Sequence, residues 1–126
     1  MRYVLQVTQP LYGGQGSALA VQLAQALLEN GHQLDQIFFY REGVYNGNAF
    51  SYPANDEINI LAVWQKLAKQ YQVRLNLCVA AAQRRGVVSV ESSQDNQQQN
   101  LAEGFEIAGL GEFSRALLEA DRLITI

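Results

Sequence analysis

The sequence predicts an α/β protein with three layers, α/β/α, and a mainly parallel sheet of about five strands. Short apolar runs rich in β-branched and aromatic residues alternate along the chain with segments whose apolar residues recur at helical spacing. This alternation is typical of a parallel sheet with helices on both faces. The length of 126 residues matches one domain, so we expect residues 1–126 to form a single domain.

The first third of the chain predicts a strand, a loop and a helix. Tyr3–Thr8 is apolar and rich in β-formers, and Gln9–Gly16 is rich in turn residues. Ser17 is expected to cap the helix that follows, and Gly31 is expected to end it. The apolar stripe predicted for this helix is formed by Leu19, Leu23 and Leu27, with Ala20, Ala24 and Ala26 beside them.

The middle of the chain repeats this order. Gln36–Tyr40 predicts a second buried strand, and Arg41–Pro53 predicts a loop at its carboxyl end. Asp56 is expected to cap a second helix. The apolar positions predicted for that helix are Leu61, Trp64, Ala68 and Tyr71, with Ile58 and Leu67 alongside. The loop carries three aromatic residues, Tyr45, Phe50 and Tyr52. They suit either a small satellite core or a contact with a partner, and we slightly favour the contact.

The last third predicts two further strands around one helix. Val87–Val90 is too short to assign, and the glutamine-rich stretch Glu91–Asn100 predicts an exposed loop or the start of a helix. Phe105–Ala108 predicts a fourth strand, and Asp121–Ile126 predicts the last one. The helix between them is predicted from the spacing of Phe113, Ala116, Leu117 and Ala120.

The remaining strand carries the one cysteine of the chain, Cys78. Apolar and other residues alternate up to this position, and the alanine-rich stretch after it favours a helix. Cys78 is therefore predicted at the carboxyl end of a strand and the amino end of a helix, where open α/β sheets place chemistry and where a thiolate is favoured. The other interpretation is structural, because free cysteine is often only a small buried hydrophobe.

Two further segments are candidates for binding. Arg84 and Arg85 follow Cys78 and are candidates for stabilising an anion or recognising a partner; a solvated helix end is the alternative. The Gly13–Gly16 loop is a candidate for binding an anion or nucleotide through its amides, or is a plain turn.

The composition of the chain argues against several classes of function. The net charge of −3 argues against direct gripping of nucleic acid. A single cysteine excludes an intrachain disulfide, and no Cys/His cluster indicates a metal, so we expect neither a metal nor a cofactor. His32 lies in a predicted surface turn and is not placed to serve Cys78 as a base. The chain shows neither a signal-peptide pattern nor an apolar run of membrane-spanning length, so a cytoplasmic location is expected.

The sequence lacks the residues that two common nucleotide-binding sites of α/β proteins require. Leu19 occupies the last glycine position of a dinucleotide fingerprint, and no Gly-Lys-Ser/Thr sequence ends a phosphate-binding loop. The remaining possibility is a cysteine that works without a catalytic partner in its own chain. A sulfur carrier has these requirements, because a persulfide forms and is removed by thiolate attack on sulfur.

The residues around these positions resemble the sulfurtransferase subunits of the DsrE-like family. The resemblance extends over the whole chain. It is carried by Phe38–Asn46, Leu75–Ala82, Arg84–Val88, the opening Thr8, Pro10, Tyr12 and Gly13, and the late Gly109–Gly111.

The resemblance implies a persulfide relay in the cytoplasm. Cys78 would accept sulfur from an upstream sulfur-carrier protein and pass it to a downstream carrier, for 2-thiolation of the wobble uridine of tRNA. It also implies two paralogous subunits in a heterohexamer, a dimer of heterotrimers, with tRNA engaged only indirectly. The alternative is a non-catalytic subunit that binds partners.

Overall fold

The computed structural model describes residues 1–93 and 98–126. These residues form five strands, four α-helices and one 3₁₀ helix. The strands are β1 (Arg2–Val7), β2 (Gln33–Phe39), β3 (Arg74–Cys78), β4 (Phe105–Ala108) and β5 (Arg122–Thr125). The α-helices are α1 (Gly16–Glu29), α2 (Ile60–Tyr71), α3 (Val79–Arg84) and α4 (Leu110–Glu119), and the 3₁₀ helix is Arg41–Gly47.

The strands build one sheet in the order β4-β3-β2-β1-β5. Each neighbouring pair among them is parallel. The predicted α/β fold is confirmed, and the sheet of described strands is wholly parallel where the sequence predicted a mainly parallel one. Because all five strands run the same way, their carboxyl ends share one edge of the sheet.

Two consecutive aromatic residues of β2 define the two covered faces of the sheet. Phe38 stacks on Phe113 of α4 with ring centroids 4.4 Å apart. Phe39 meets Trp64 of α2 edge-on at 5.4 Å. Successive side chains of a strand point to opposite faces, so α2 and α4 cover opposite sides. Helix α1 packs against α2, which gives the three-layer arrangement that the sequence predicted.

Helix α1 differs from its prediction in two respects. It begins at Gly16, and Ser17 does not cap it: the Ser17 hydroxyl is buried and donates to the carbonyls of Gln9 and Pro10. Leu19 is 54% exposed. The buried apolar residues of α1 are Ala20, Val21, Ala24 and Leu28. Ala20 and Ala24 belong to the predicted stripe and are buried as predicted, since small residues let a helix pack closely.

The segment between β2 and α2 also differs from its prediction. Asp56 does not cap α2; the cap is Asn59, whose side-chain oxygen accepts from the amide of Ala62 at 3.0 Å. The predicted loop Arg41–Pro53 begins with the 3₁₀ helix, in which Val44 is buried. A seven-residue 3₁₀ helix has no strong periodic signal, so sequence patterns miss it.

The remaining elements follow the predictions more closely. Gly31 ends α1 with a φ of +82°. Strand β2 begins three residues earlier than predicted, at Gln33, and the strands predicted at Phe105–Ala108 and within Asp121–Ile126 are present. Residues 94–97 of the glutamine-rich stretch lie outside the described residues. No helix in the described ranges combines the length and apolar character that crossing a bilayer requires.

Candidate functional site

Cys78 ends β3 and is also the N-cap residue of α3. The predicted strand-to-helix junction is therefore confirmed. Its thiol is free and 3% exposed, and the side chain makes no capping hydrogen bond to α3. On β4 its register partner is Ala108. The cysteine thus lies at the carboxyl edge of the sheet, just beneath the protein surface.

The 3₁₀ helix after β2 borders this junction. It contacts both β3 and α3. The approach is close at Gly47, where an added Cβ would lie 2.8 Å from Cδ2 of Leu77, the residue before Cys78. The Gly47 carbonyl also accepts from the amide of Ala102 at 2.8 Å, which ties the 3₁₀ helix to the segment entering β4. Glycine at position 47 lets these segments close around the end of β3.

Asn46 holds the 3₁₀ helix in place from inside. Its side chain is fully buried. The carboxamide nitrogen donates to the carbonyls of Gln9 and Gly43 at 3.0 and 2.9 Å, and the oxygen accepts from Nε1 of Trp64 at 3.0 Å. One side chain thereby joins the loop after β1, the 3₁₀ helix and α2. No sequence pattern predicts this role for Asn46.

Arg85 links α3 to the 3₁₀ helix. Its Nε and one terminal nitrogen lie 2.9 and 2.7 Å from one carboxylate oxygen of Glu42. The other terminal nitrogen donates to the carbonyl of Ala81. The hydrogen bond from Arg85 lowers the pKa of the Glu42 carboxyl. The charge of Arg85 is therefore paired across the junction, and a role for Arg85 toward an anion or a partner stays a prediction.

Arg84 is placed differently. Its side chain is exposed at the end of α3 and forms no hydrogen bond or ion pair with the residues that the structure describes. Of the two neighbouring arginines, Arg85 thus forms an ion pair, whereas Arg84 is an exposed cation with no ion pair among the described residues. A role for Arg84 toward an anion or a partner stays a prediction.

The three aromatic residues of the predicted loop Arg41–Pro53 face outward. Phe50 and Tyr52 are 66% and 82% exposed, and Tyr45 is at the margin of exposure. They do not form the satellite core that was one interpretation of this segment. Contact with a partner stays a prediction for them.

The Gly13–Gly16 loop leads into α1. Beside it lies an apolar cleft of about 420 Å³ between α1, α2 and the segment before α2, with Tyr12, Val21 and Ile58 in its wall. Its one charged lining residue is Glu57. This lining adds no support for anion binding, so that role of the loop stays a prediction.

Asn76 is a second residue of the site for which the sequence patterns predict no role. It lies two residues before Cys78 on β3 and is 0% exposed, yet neither polar atom of its side chain has a hydrogen-bond partner among the described residues. A signal was present, because a polar residue within a strand covered on both faces is unusual.

These features define a class of protein: a parallel α/β sheet that holds one free cysteine at the carboxyl end of a strand. The family model of the DsrE/DsrF-like family matches residues 1–126. A protein of Pasteurella multocida (strain Pm70) named sulfurtransferase TusD homolog is 62% identical over 126 residues, with both chains covered completely.

A sulfurtransferase TusD of Photorhabdus laumondii is 45% identical, over 98% of this chain and 96% of the relative. The crystal structure of the ychN protein from E. coli superimposes with a TM-score of 0.79 at 25% identity and complete coverage of both chains. The chain therefore belongs to the DsrE/DsrF-like family, and the shared name of its curated relatives assigns it to the sulfurtransferases.

Proposed function

We propose that this chain is a persulfide-carrying subunit of a sulfur relay, with Cys78 as the carrier. The observation that carries the proposal is the position of the one cysteine, at the end of β3 where α3 begins. The names of the relatives support sulfur transfer as the activity. In the finer form of the proposal, sulfur arrives from an upstream carrier and leaves to a downstream carrier for 2-thiolation of the tRNA wobble uridine, in the cytoplasm.

The chemistry needs nothing beyond thiols and persulfides. The Cys78 thiolate attacks the outer sulfur of a donor persulfide, R–S–SH. The donor S–S bond breaks, R–S⁻ leaves, and Cys78 carries –S–SH. The thiolate of the acceptor then attacks this outer sulfur and regenerates the Cys78 thiolate. Both steps conserve electrons, so no external oxidant or reductant takes part.

The single cysteine suits this role. A second thiol within reach would attack the persulfide and release sulfide, leaving a disulfide. The chain has one cysteine, so this side reaction cannot occur within it. The burial of the sulfur adds a requirement: it must become accessible when donor and acceptor dock. We further propose that the chain works with two paralogous subunits in a dimer of heterotrimers.

Intact-protein mass spectrometry tests the carrier role. The chain is incubated with a cysteine desulfurase, its sulfur carrier and cysteine, with and without the partner subunits; Cys78→Ser is the control. We expect a gain of one sulfur atom that reductant reverses and that Cys78→Ser lacks. Absence of any gain with the partners present would refute the carrier role.

A second function is favoured by one observation, the near-complete burial of the thiol. In that case the chain is a structural, partner-binding subunit and Cys78 is a packing residue. Complementation of a strain lacking this subunit discriminates the two. A Cys78→Ala protein that restores tRNA 2-thiolation favours the structural role, whereas loss of thiolation with normal assembly favours the carrier.

A further inference from the structure

Asn76 stands out because its polar atoms are satisfied by nothing in the described chain. Its carboxamide has two N–H donors and one acceptor oxygen, and the side chain is fully buried. Neither atom has a hydrogen-bond partner among the described residues. Buried polar side chains are bonded in the large majority of cases, and the exceptions call for a reason, such as a catalytic role. An apolar residue would fill this position without that penalty.

Register places Asn76 and Cys78 on one face of the sheet. Asn76 pairs with Phe38, whose ring lies against Phe113 of α4. Asn76 therefore points to the α4 side, and alternation along β3 sends Cys78 to that same side. Leu77, between them, points to the opposite face with its register partner Phe39.

The spacing of the two residues suits one extra sulfur atom. Two steps along a parallel strand span about 6.6 Å. In a persulfide, a sulfur–sulfur bond of about 2.05 Å lengthens the Cys78 side chain. The Asn76 carboxamide extends from the same face of the strand two residues away. The unmodified thiol leaves the Asn76 donors unused, whereas an outer sulfur turned back along the strand would meet them.

We propose that the Asn76 carboxamide binds the outer sulfur of the Cys78 persulfide through an N–H···S hydrogen bond. The proposal rests on the proposed carrier function and extends it. Asn76 would be a sulfur-binding residue, since it touches the atom that is transferred. It would hold that atom inside the protein until an acceptor thiol attacks it.

Gln36 provides a matched control. Its side-chain oxygen is also buried without a hydrogen-bond partner in the described chain, and the residue lies on the α4 face of the neighbouring strand. Its register partner is Arg74, four residues before Cys78, so it lies about 13 Å along the strand from the cysteine. Gln36 shares the chemistry and burial of Asn76 but cannot reach the sulfur.

Variants test the contribution to sulfur uptake. Asn76→Leu keeps the size of the side chain and removes its hydrogen-bonding groups; Gln36→Met does the same at the control position. With the desulfurase system as donor, we expect Asn76→Leu to take up sulfur about tenfold more slowly, which is the upper end of what one hydrogen bond contributes. We expect Gln36→Met to load at the wild-type rate. We expect the melting temperature of both variants to equal or exceed that of the wild type, because each removes a buried polar group that has no partner among the described residues. Wild-type loading by Asn76→Leu would overturn the proposal.

Nuclear magnetic resonance tests the contact without any variant. Methyl methanethiosulfonate converts Cys78 to a methyl disulfide, which puts a second sulfur on the cysteine whether or not a natural donor loads it. We expect the side-chain NH₂ signals of Asn76 to move on labelling and those of Gln36 to stay. Unmoved Asn76 signals would overturn the contact, even if the protein still loads as a carrier. Moved signals in a protein that no donor loads would uphold the contact and refute the carrier function.

Discussion

Asn46 allows a quantitative test of how the candidate site is held together. Asn46→Ala removes a buried side chain that bonds three groups on three segments. The Gln9 carbonyl is partly open to water, whereas the Gly43 carbonyl and the Trp64 indole N–H lose their partner in buried surroundings. Each buried group left unpaired costs about 1–3 kcal/mol. We therefore expect a loss of about 3 kcal/mol in the free energy of unfolding.

The assay is urea unfolding followed by fluorescence of Trp64, which is the one tryptophan of the chain. With a slope of about 2 kcal/mol per M, the midpoint should fall by about 1.5 M. The melting temperature of a chain of this size should fall by about 12 °C. Because the 3₁₀ helix borders β3 and α3, alkylation of Cys78 by iodoacetamide should also be faster.

Asn55→Ala is the matched control for this prediction. Asn55 is exposed, and no hydrogen bond of its side chain is found within the described ranges. Surface substitutions of this kind change stability by about 0.5 kcal/mol or less. If Asn46→Ala lost no more stability than Asn55→Ala, the assigned network would not support the 3₁₀ helix, and the reasoning would be refuted.

Two further predictions concern the same junction. Gly47→Ala should destabilise the fold by about 1–3 kcal/mol in urea unfolding, because its Cβ would lie 2.8 Å from Leu77. Gly14→Ala is the control, since the space around Gly14 is open, and it should not destabilise the fold. Equal effects of the two substitutions would contradict the packing described. Arg85 lowers the pKa of Glu42, so the stabilising pair is complete above the ordinary glutamate pKa and is lost as pH falls through the lower folded value. Glu42→Gln should therefore melt below wild type at pH 7, with a gap that closes in acid; a gap that persists at pH 2 would show that the pair is not its cause.

Local patterns determined the class of fold and the location of the cysteine. The alternation of strand and helix patterns predicted a parallel, layered sheet, because hydrophobic periodicity follows directly from which faces of each element are buried. The same reasoning placed Cys78 at a strand end followed by a helix, since alanine-rich sequence after an alternating run needs no distant contact to form α3. Gly31 ended α1 as predicted, because a left-handed residue after a helix is a local requirement.

The tertiary structure decided which residues surround the cysteine. Ser17 and Asp56 have the chemistry of helix caps, but packing put the helix starts elsewhere, and Ser17 instead bonds the loop after β1. Arg85 pairs with Glu42, 43 residues earlier in the chain, and Asn46 bonds Trp64 of another helix. Such contacts join residues far apart in sequence, so no local pattern encodes them. Asn76 is the clearest case. Its identity is plain in the sequence, but only the tertiary structure shows that its carboxamide is buried, has no hydrogen-bond partner among the described residues and lies on the face of Cys78.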